Sequence, residues 1–171
     1  AGHEITIVSR SKSKRNQFVQ DRKKITFIKA DPSSASSWEN SELFDALDKV
    51  EGVINLVGEA IADKRWSKQQ CQEIEKSRWN TTSELIKAMS KLKSTKKVLV
   101  NGSAIGFYGT SSNKIFDESS PSGKDFLATL CERWEAIAFQ KPRRTRLVII
   151  RTGIVLGKDG GALSKMLPVF R

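Results

Sequence analysis

Tyrosine and histidine occur once each in these 171 residues and cysteine only twice, and each scarcity closes off a kind of chemistry. With His3 alone, and with Cys71 and Cys131 far apart and in no C-x-x-C spacing, neither a zinc site nor a disulfide framework is supported. Such cysteine usage fits a reducing cytoplasm, or an organelle interior if a targeting segment has been removed. Long hydrophobic runs are missing as well. The longest, VINLV at 53–57 and LVII at 147–150, are strand-length and far below the ~20 residues of a membrane helix, so no membrane association is expected. The visible N-terminal stretch does not read as a secretory signal, because no apolar core follows a charged start.

Acidic residues are few beside basic ones, 19 Asp and Glu against 30 Lys and Arg, for a net charge of +11. Basic clusters fall at 10–15, 22–24 and 141–146, at expected turns and without interleaved aromatics. That pattern reads first as solvated surface and next as a site for a phosphate-bearing small molecule; nucleic acid is not favoured. What is present, 38% apolar and 29% charged residues, suits a soluble globular domain with a sizeable core.

Five segments rich in Ile, Val and Leu (4–8, 25–28, 53–57, 97–100 and 147–151) read as strands. Their near-continuous apolar character predicts burial on both faces of a parallel sheet. Between them, apolar spacings of three and four predict helices over 42–50, 67–91 with Ser67 as N-cap, and 124–139. Strands alternating with helices predict an α/β fold, a Rossmann-type doubly wound parallel sheet covered by helices on both faces. Stretches 30–38 and 110–124 read as long polar loops. The pattern is incomplete at both ends. Gly2 stands like the glycine that ends a helix, and the tail from 152 is glycine-rich and completes no element. Residues 1–151 are therefore expected to form the nucleotide-binding domain without its first strand, glycine loop and first helix, and 152–171 the start of a truncated substrate-binding region.

Several blocks in order along the chain are GHEITIVSR (2–10), VINLVGEAIADKRW (53–66), KSRWNTT (76–82), GSAIGFYG (102–109), DFLATLCERWEA (125–136) and RTGIVLGKDGGALSKMLPVFR (151–171). Together they resemble an atypical, epimerase-like branch of the extended short-chain dehydrogenases/reductases, also labelled sugar-nucleotide epimerase-like or cell-division-inhibitor-like. The resemblance implies a glycine loop ahead of this stretch and a smaller substrate domain after it.

At the end of a dinucleotide fold's second strand, an acidic residue selects NAD through the ribose 2′-hydroxyl and repels a 2′-phosphate. Here the strand ends Val8-Ser9-Arg10, with Lys12 beyond and no acid in reach, and a hydroxyl plus a guanidinium fork suits NADP. The bland reading is a basic turn. Ligands in open parallel sheets lie across the carboxyl ends of the strands, which makes Leu56, Val57 and Gly58 candidate cofactor contacts. Gly58 either admits a close backbone approach or merely turns the chain. Glu59 would then face the site as a proton acceptor. The resemblance suggests that Glu73 and Arg78 reach the cofactor and sets Asn80 at an active-site asparagine position; an exposed charged helix face is the alternative. Gly102, Gly153, Ile154 and Val155 are further candidate cofactor contacts.

Ser103 matches the serine that polarises a substrate carbonyl in the superfamily the chain resembles, although small residues there also serve plain turns. Its proton-transfer pair, Tyr-x-x-x-Lys, places both side chains on one helix face, where the ammonium eases the loss of the phenolic proton. Aligned on Glu135, that motif falls on Leu127 and Cys131, which can replace neither residue. Tyr108, the lone tyrosine, follows Ser103 but has Ser112 rather than lysine four residues on. Two functions stay open. One is an NADP-dependent oxidoreductase or epimerase-like enzyme acting on a small molecule with Ser103, Tyr108 and Glu59 as its polar groups. The other is a non-catalytic NADP-binding regulatory or redox-sensing protein, with division as a possible setting.

Overall fold

The computed structural model describes residues 2–11, 24–39, 41–157 and 163. The described residues form six strands, β1 (Ile5–Ser9), β2 (Ile25–Lys29), β3 (Gly52–Asn55), β4 (Val98–Ala104), β5 (Arg146–Thr152) and β6 (Leu156–Gly157), and three helices. These are α1 (Glu42–Lys49), α2 (Lys68–Ser90) and α3 (Phe126–Phe139). Each helix starts at a side-chain cap, since Ser41, Ser67 and Asp125 accept from the amides of Phe44, Gln70 and Ala128. Short 3-10 turns at Ala35–Trp38 and Ile105–Tyr108 lie where the sequence pattern shows only loop or strand end. Trp38 is buried from the first of them, its indole N–H donating to the Pro32 carbonyl at 3.0 Å.

The pairings among β1 to β5 are parallel. β1 pairs with β2, and β3–β4–β5 form a second sheet in which Asn55 lies beside Asn101 and Asn101 beside Ile149. Helices α1 and α2 close a core of Leu43, Leu47, Leu85, Ile86 and Met89 with Ile28 and Leu99, and α3 continues it along β4. This is a Rossmann-type arrangement. The expectation of strands buried on both faces holds only for β4. Ile54 is 70% exposed, and Val148 and Ile150 also stay partly open, because among the described residues helices cover one sheet face and leave the other bare. The edges of β1 and β3 also lack a second partner among the described residues. An apolar cavity of about 430 Å³ lies between them, lined by Ile7, Val8, Val53 and Ile54.

Among the described residues two glycines have positive φ, Gly2 (φ 77°) and Gly109 (φ 71°). The second ends the 3-10 turn that carries Tyr108, with ψ −155°, a region essentially restricted to glycine. Gly123 packs against it so closely that a Cβ would lie 2.8 Å from the Gly109 Cα, and its amide donates to the Phe107 carbonyl at 2.8 Å. This contact closes the 110–124 stretch back onto the tyrosine.

Leu99 is fully buried and Ile115 is 99% exposed. Urea denaturation of Leu99→Ala should show a loss of about 2–5 kcal/mol, while Ile115→Ala leaves the midpoint unchanged. Equal effects would contradict the placement of the core.

Candidate functional site

The site is assembled at the carboxyl ends of β3, β4 and β5, where α2 and α3 meet the sheet. Its floor is a buried amide and hydroxyl network. Asn55 Nδ2 donates to Asn101 Oδ1 (2.7 Å) and Thr82 Oγ1 (2.9 Å), and the Trp134 indole donates to the same hydroxyl (2.8 Å). Thr82 in turn donates to the Arg78 carbonyl at 2.8 Å, so the threonine hydroxyl is fully engaged. Gly102 belongs to this floor. A Cβ there would meet the Trp134 ring at 3.1 Å and the Asn55 carbonyl at 3.3 Å, so the glycine makes room for protein rather than for a ligand alone.

Above the floor lies a charged cluster. Glu135, on the inner face of α3 and 4% exposed, accepts from Ser103 Oγ at 2.5 Å, from Arg151 Nε at 2.9 Å and from Arg151 Nη2 at 2.8 Å. Arg151 leaves β5 on the face that α3 covers, and its guanidinium stacks 3.6 Å over the Phe107 ring. Its Nη1 donates to the Tyr108 hydroxyl oxygen at 2.9 Å. Tyr108 is half-buried and stacked on Phe116. The hydrogen bonds to Glu135 above all, helped by the one to Tyr108, hold the Arg151 guanidinium proton more tightly than usual, against the opposing effect of burial. With Arg151 filling both Glu135 oxygens, Ser103 is the donor in the third contact. Cys131 is buried beside this cluster with its thiol pushed up, chiefly by burial, and Leu127 packs toward Gly106.

The structure brings Ser103 and Tyr108 to this cluster and engages Glu59 elsewhere. The Glu59 carboxylate pairs with exposed Lys64 at 3.1 Å, and its backbone amide donates to the Ser77 hydroxyl oxygen at 2.9 Å. Arg78 lies next to the cluster, donating to the carbonyls of Glu59 (3.0 Å) and Ile74 (3.1 Å) and lying 5.4 Å from the Trp134 ring; burial is the main cause that pulls its pKa down. Its guanidinium fills the space a Cβ on Gly58 would take, 2.7 Å from Cζ, which gives that glycine a reason in packing. Glu73 and Asn80 stand exposed on α2, away from the cluster. Leu56 and Val57, and Ile154 and Val155 with Gly153, form exposed apolar lips on either side of it.

At the far end of the same edge, Ser9 ends β1 and Arg10 follows it; Lys12 lies outside the described residues, as does most of the tail from 158. The expectation of no acid in reach needs correction. Because Ser9 registers with Lys29 across the parallel pair, Asp31 just beyond β2 comes within electrostatic range of Arg10. The Ser33 hydroxyl, 2.7 Å away, is the main cause that holds the Asp31 carboxyl below the usual range, with Ser33's amide and the Arg10 charge adding to it against burial.

Residues 1–170 match the model of the NAD dependent epimerase/dehydratase family. The chain belongs to that family. It is 40% identical over 171 residues to the chloroplastic epimerase family protein SDR39U1 homolog of Arabidopsis thaliana, covering 99% of this chain and 47% of that protein. To the human epimerase family protein SDR39U1 it is 35% identical, covering 99% of this chain and 52% of that protein. A crystal structure of the human protein (isoform 2) with NADPH superposes with a TM-score of 0.73 at 30% identity, over 99% of this chain and 52% of that one. The Bordetella bronchiseptica enzyme WbmG, solved with NAD and UDP, shares the fold at a TM-score of 0.66 and 17% identity, over 88% of this chain and 45% of that one. The chain thus spans about half the length of the relatives it matches. No helix among the described residues is long and apolar enough to cross a membrane.

The residues missed by sequence reasoning are Glu135, read only as an alignment marker, and Arg151. A carboxylate on the apolar stripe of α3, four residues after Cys131, was the available signal, since a buried charge requires a partner. Glu135→Ala strands the Arg151 guanidinium and should lower stability by about 3–5 kcal/mol in urea titration, with Glu135→Leu/Arg151→Met costing much less than the two single changes combined. Simple additivity would show that the pair is not coupled.

Proposed function

We propose that this chain forms the NADP(H)-binding part of an epimerase-like oxidoreductase acting on a small molecule that carries a carbonyl or hydroxyl group. The observation that carries this reading is the shared edge. Ser9 and Arg10 at one end, the lips of Leu56, Val57 and Gly153–Val155, and the Ser103–Glu135–Arg151–Tyr108 cluster at the other all lie at carboxyl ends of parallel strands, where ligands of open α/β sheets sit. The residues fit the cofactor. Exposed Arg10 offers a guanidinium fork and Ser9 a hydroxyl for a 2′-phosphate, and Asp31, turned onto Ser33, leaves that fork unpaired by any hydrogen bond to it. The NADPH bound to the human relative supports the same choice. Bound there, the cofactor would supply a hydride, and this chain's residues would hold it and manage the proton.

The apolar slot between β1 and β3 fits one more parallel strand, which would join the two sheets into one and bring a phosphate-binding loop to the same edge. The free cysteines, Cys71 and Cys131, favour a reducing compartment, either cytoplasm or an organelle interior. A second reading, a regulatory NADP-binding protein without turnover, draws on Leu127 and Cys131 standing where the resemblance expects tyrosine and lysine.

Fluorescence titration of the full-length protein tests the cofactor assignment. NADPH should bind at least tenfold more tightly than NADH, the equivalent of one charge-assisted contact, and Arg10→Ala should remove that preference while leaving NADH binding as it was. Equal affinity for both cofactors in the unaltered protein, or an Arg10→Ala variant with its preference intact, would sink it.

A further inference from the structure

We propose that Tyr108 is the proton donor of this site and that Arg151, held by Glu135, is the cation that activates it, with Ser103 reduced to an anchor. This deepens the oxidoreductase reading above and rests on it. A proton donor needs a hydrogen free to give and a neighbour that stabilises the charge left behind. Ser103 has neither. It is 4% exposed, and its single hydrogen is committed to the Glu135 carboxylate at 2.5 Å. Cys131 is 3% exposed, its thiol shut away from solvent beside Ser103 and Glu135, and Glu59 is paired with Lys64.

Tyr108 meets both needs. Arg151 Nη1 donates into the phenol oxygen at 2.9 Å, so the tyrosine's own hydrogen is not used in that contact and points to be given elsewhere. The guanidinium is fixed from three sides, by the bidentate Glu135 carboxylate, by the Phe107 ring beneath it and by the phenol itself. When a substrate oxygen carrying negative charge takes the phenolic proton, the phenolate left behind already has its counter-cation at hydrogen-bond distance. Solvent returns a proton through the half-exposed side of the ring. A cation reaching from β5 thereby does from the strand what a lysine would do from a helix. The Gly109–Gly123 contact fixes the ring's position from the other side, and the Phe116 stack, 5.2 Å between centroids at 13°, adds to it.

The test uses full-length protein and two readouts. The first needs no cofactor: tetranitromethane attacks tyrosine as its phenolate, and nitration of Tyr108 is followed by peptide mass spectrometry. Arg151→Lys keeps a cation opposite Glu135, and so keeps the fold, but replaces by a point charge the planar fork whose separate nitrogens reach carboxylate and phenol at once. Its nitration rate at Tyr108 should fall roughly tenfold, the loss of one charge-assisted hydrogen bond, with the circular dichroism unchanged. An unchanged rate overturns the proposal. The second readout is NADPH oxidation across a panel of aldehydes, ketones and an ortho-quinone. Tyr108→Phe should lose on the order of a hundredfold or more with NADPH affinity intact, and Ser103→Ala less than tenfold. The reverse ranking, or a protein that binds NADPH and turns over nothing in the panel, contradicts the proposal. If the wild type fails to bind NADPH, the cofactor reading has failed instead, and the nitration result still decides whether Arg151 activates Tyr108.

Discussion

A carboxylate taken out of water must be answered by hydrogen bonds and a cation, and the Glu135 side chain imposes that demand on this fold. The three bonds it accepts reach β4 through Ser103 and β5 through Arg151, and the arginine carries the link onward to the turn bearing Tyr108. Strand register makes the geometry possible, since Ser103 and Arg151 are directly paired neighbours in β4 and β5. Their side chains emerge together on the face that α3 covers. Helix, two strands and a tight turn are thereby fixed against one another by a single ionised group. The Asn55–Asn101–Thr82–Trp134 network repeats the pattern one layer down with neutral groups and ties in β3 and α2.

That arrangement separates two jobs. Ser9 and Arg10 stand at the end of the two-stranded sheet, whereas Ser103, Arg151 and Tyr108 stand at the end of the three-stranded one. A cofactor lying along the edge would span the two, with its phosphate-bearing ribose on the basic end and its redox end near β4 and β5. The replacement of the superfamily's helical tyrosine and lysine by Leu127 and Cys131 then need not mean an inert site. On the proposed reading the work moves to a turn and a strand end, which depend on glycine packing and on a buried salt bridge rather than on helical spacing.

Much of this fold is legible in the sequence, because apolar runs with branched side chains and helices opened by Ser67 or Asp125 are local signals. Strand and helix ends fall within a few residues of their expected places. The error about burial on both faces has a physical cause, since hydrophobic runs report what a complete sheet would bury and not which helices are found among the described residues. For the site, Ser9, Arg10, Ser103 and Tyr108 can be picked out as isolated residues. What the sequence does not carry is contact between distant positions, such as Arg151 with Tyr108 or Asp31 with Arg10. Gly58 and Gly102 show the same limit from the other side. Both are candidate cofactor contacts in the sequence, and the space a Cβ would take beside them is filled by Arg78 and Trp134.

The most direct measurement is a crystal structure of the full-length protein with NADPH bound. The account predicts the 2′-phosphate at Ser9 and Arg10, the nicotinamide beside the ends of β4 and β5, and Arg151 still bridging Glu135 and Tyr108. A cofactor lying away from this edge, or an Arg151 that leaves Glu135 to hold a cofactor phosphate, would contradict it.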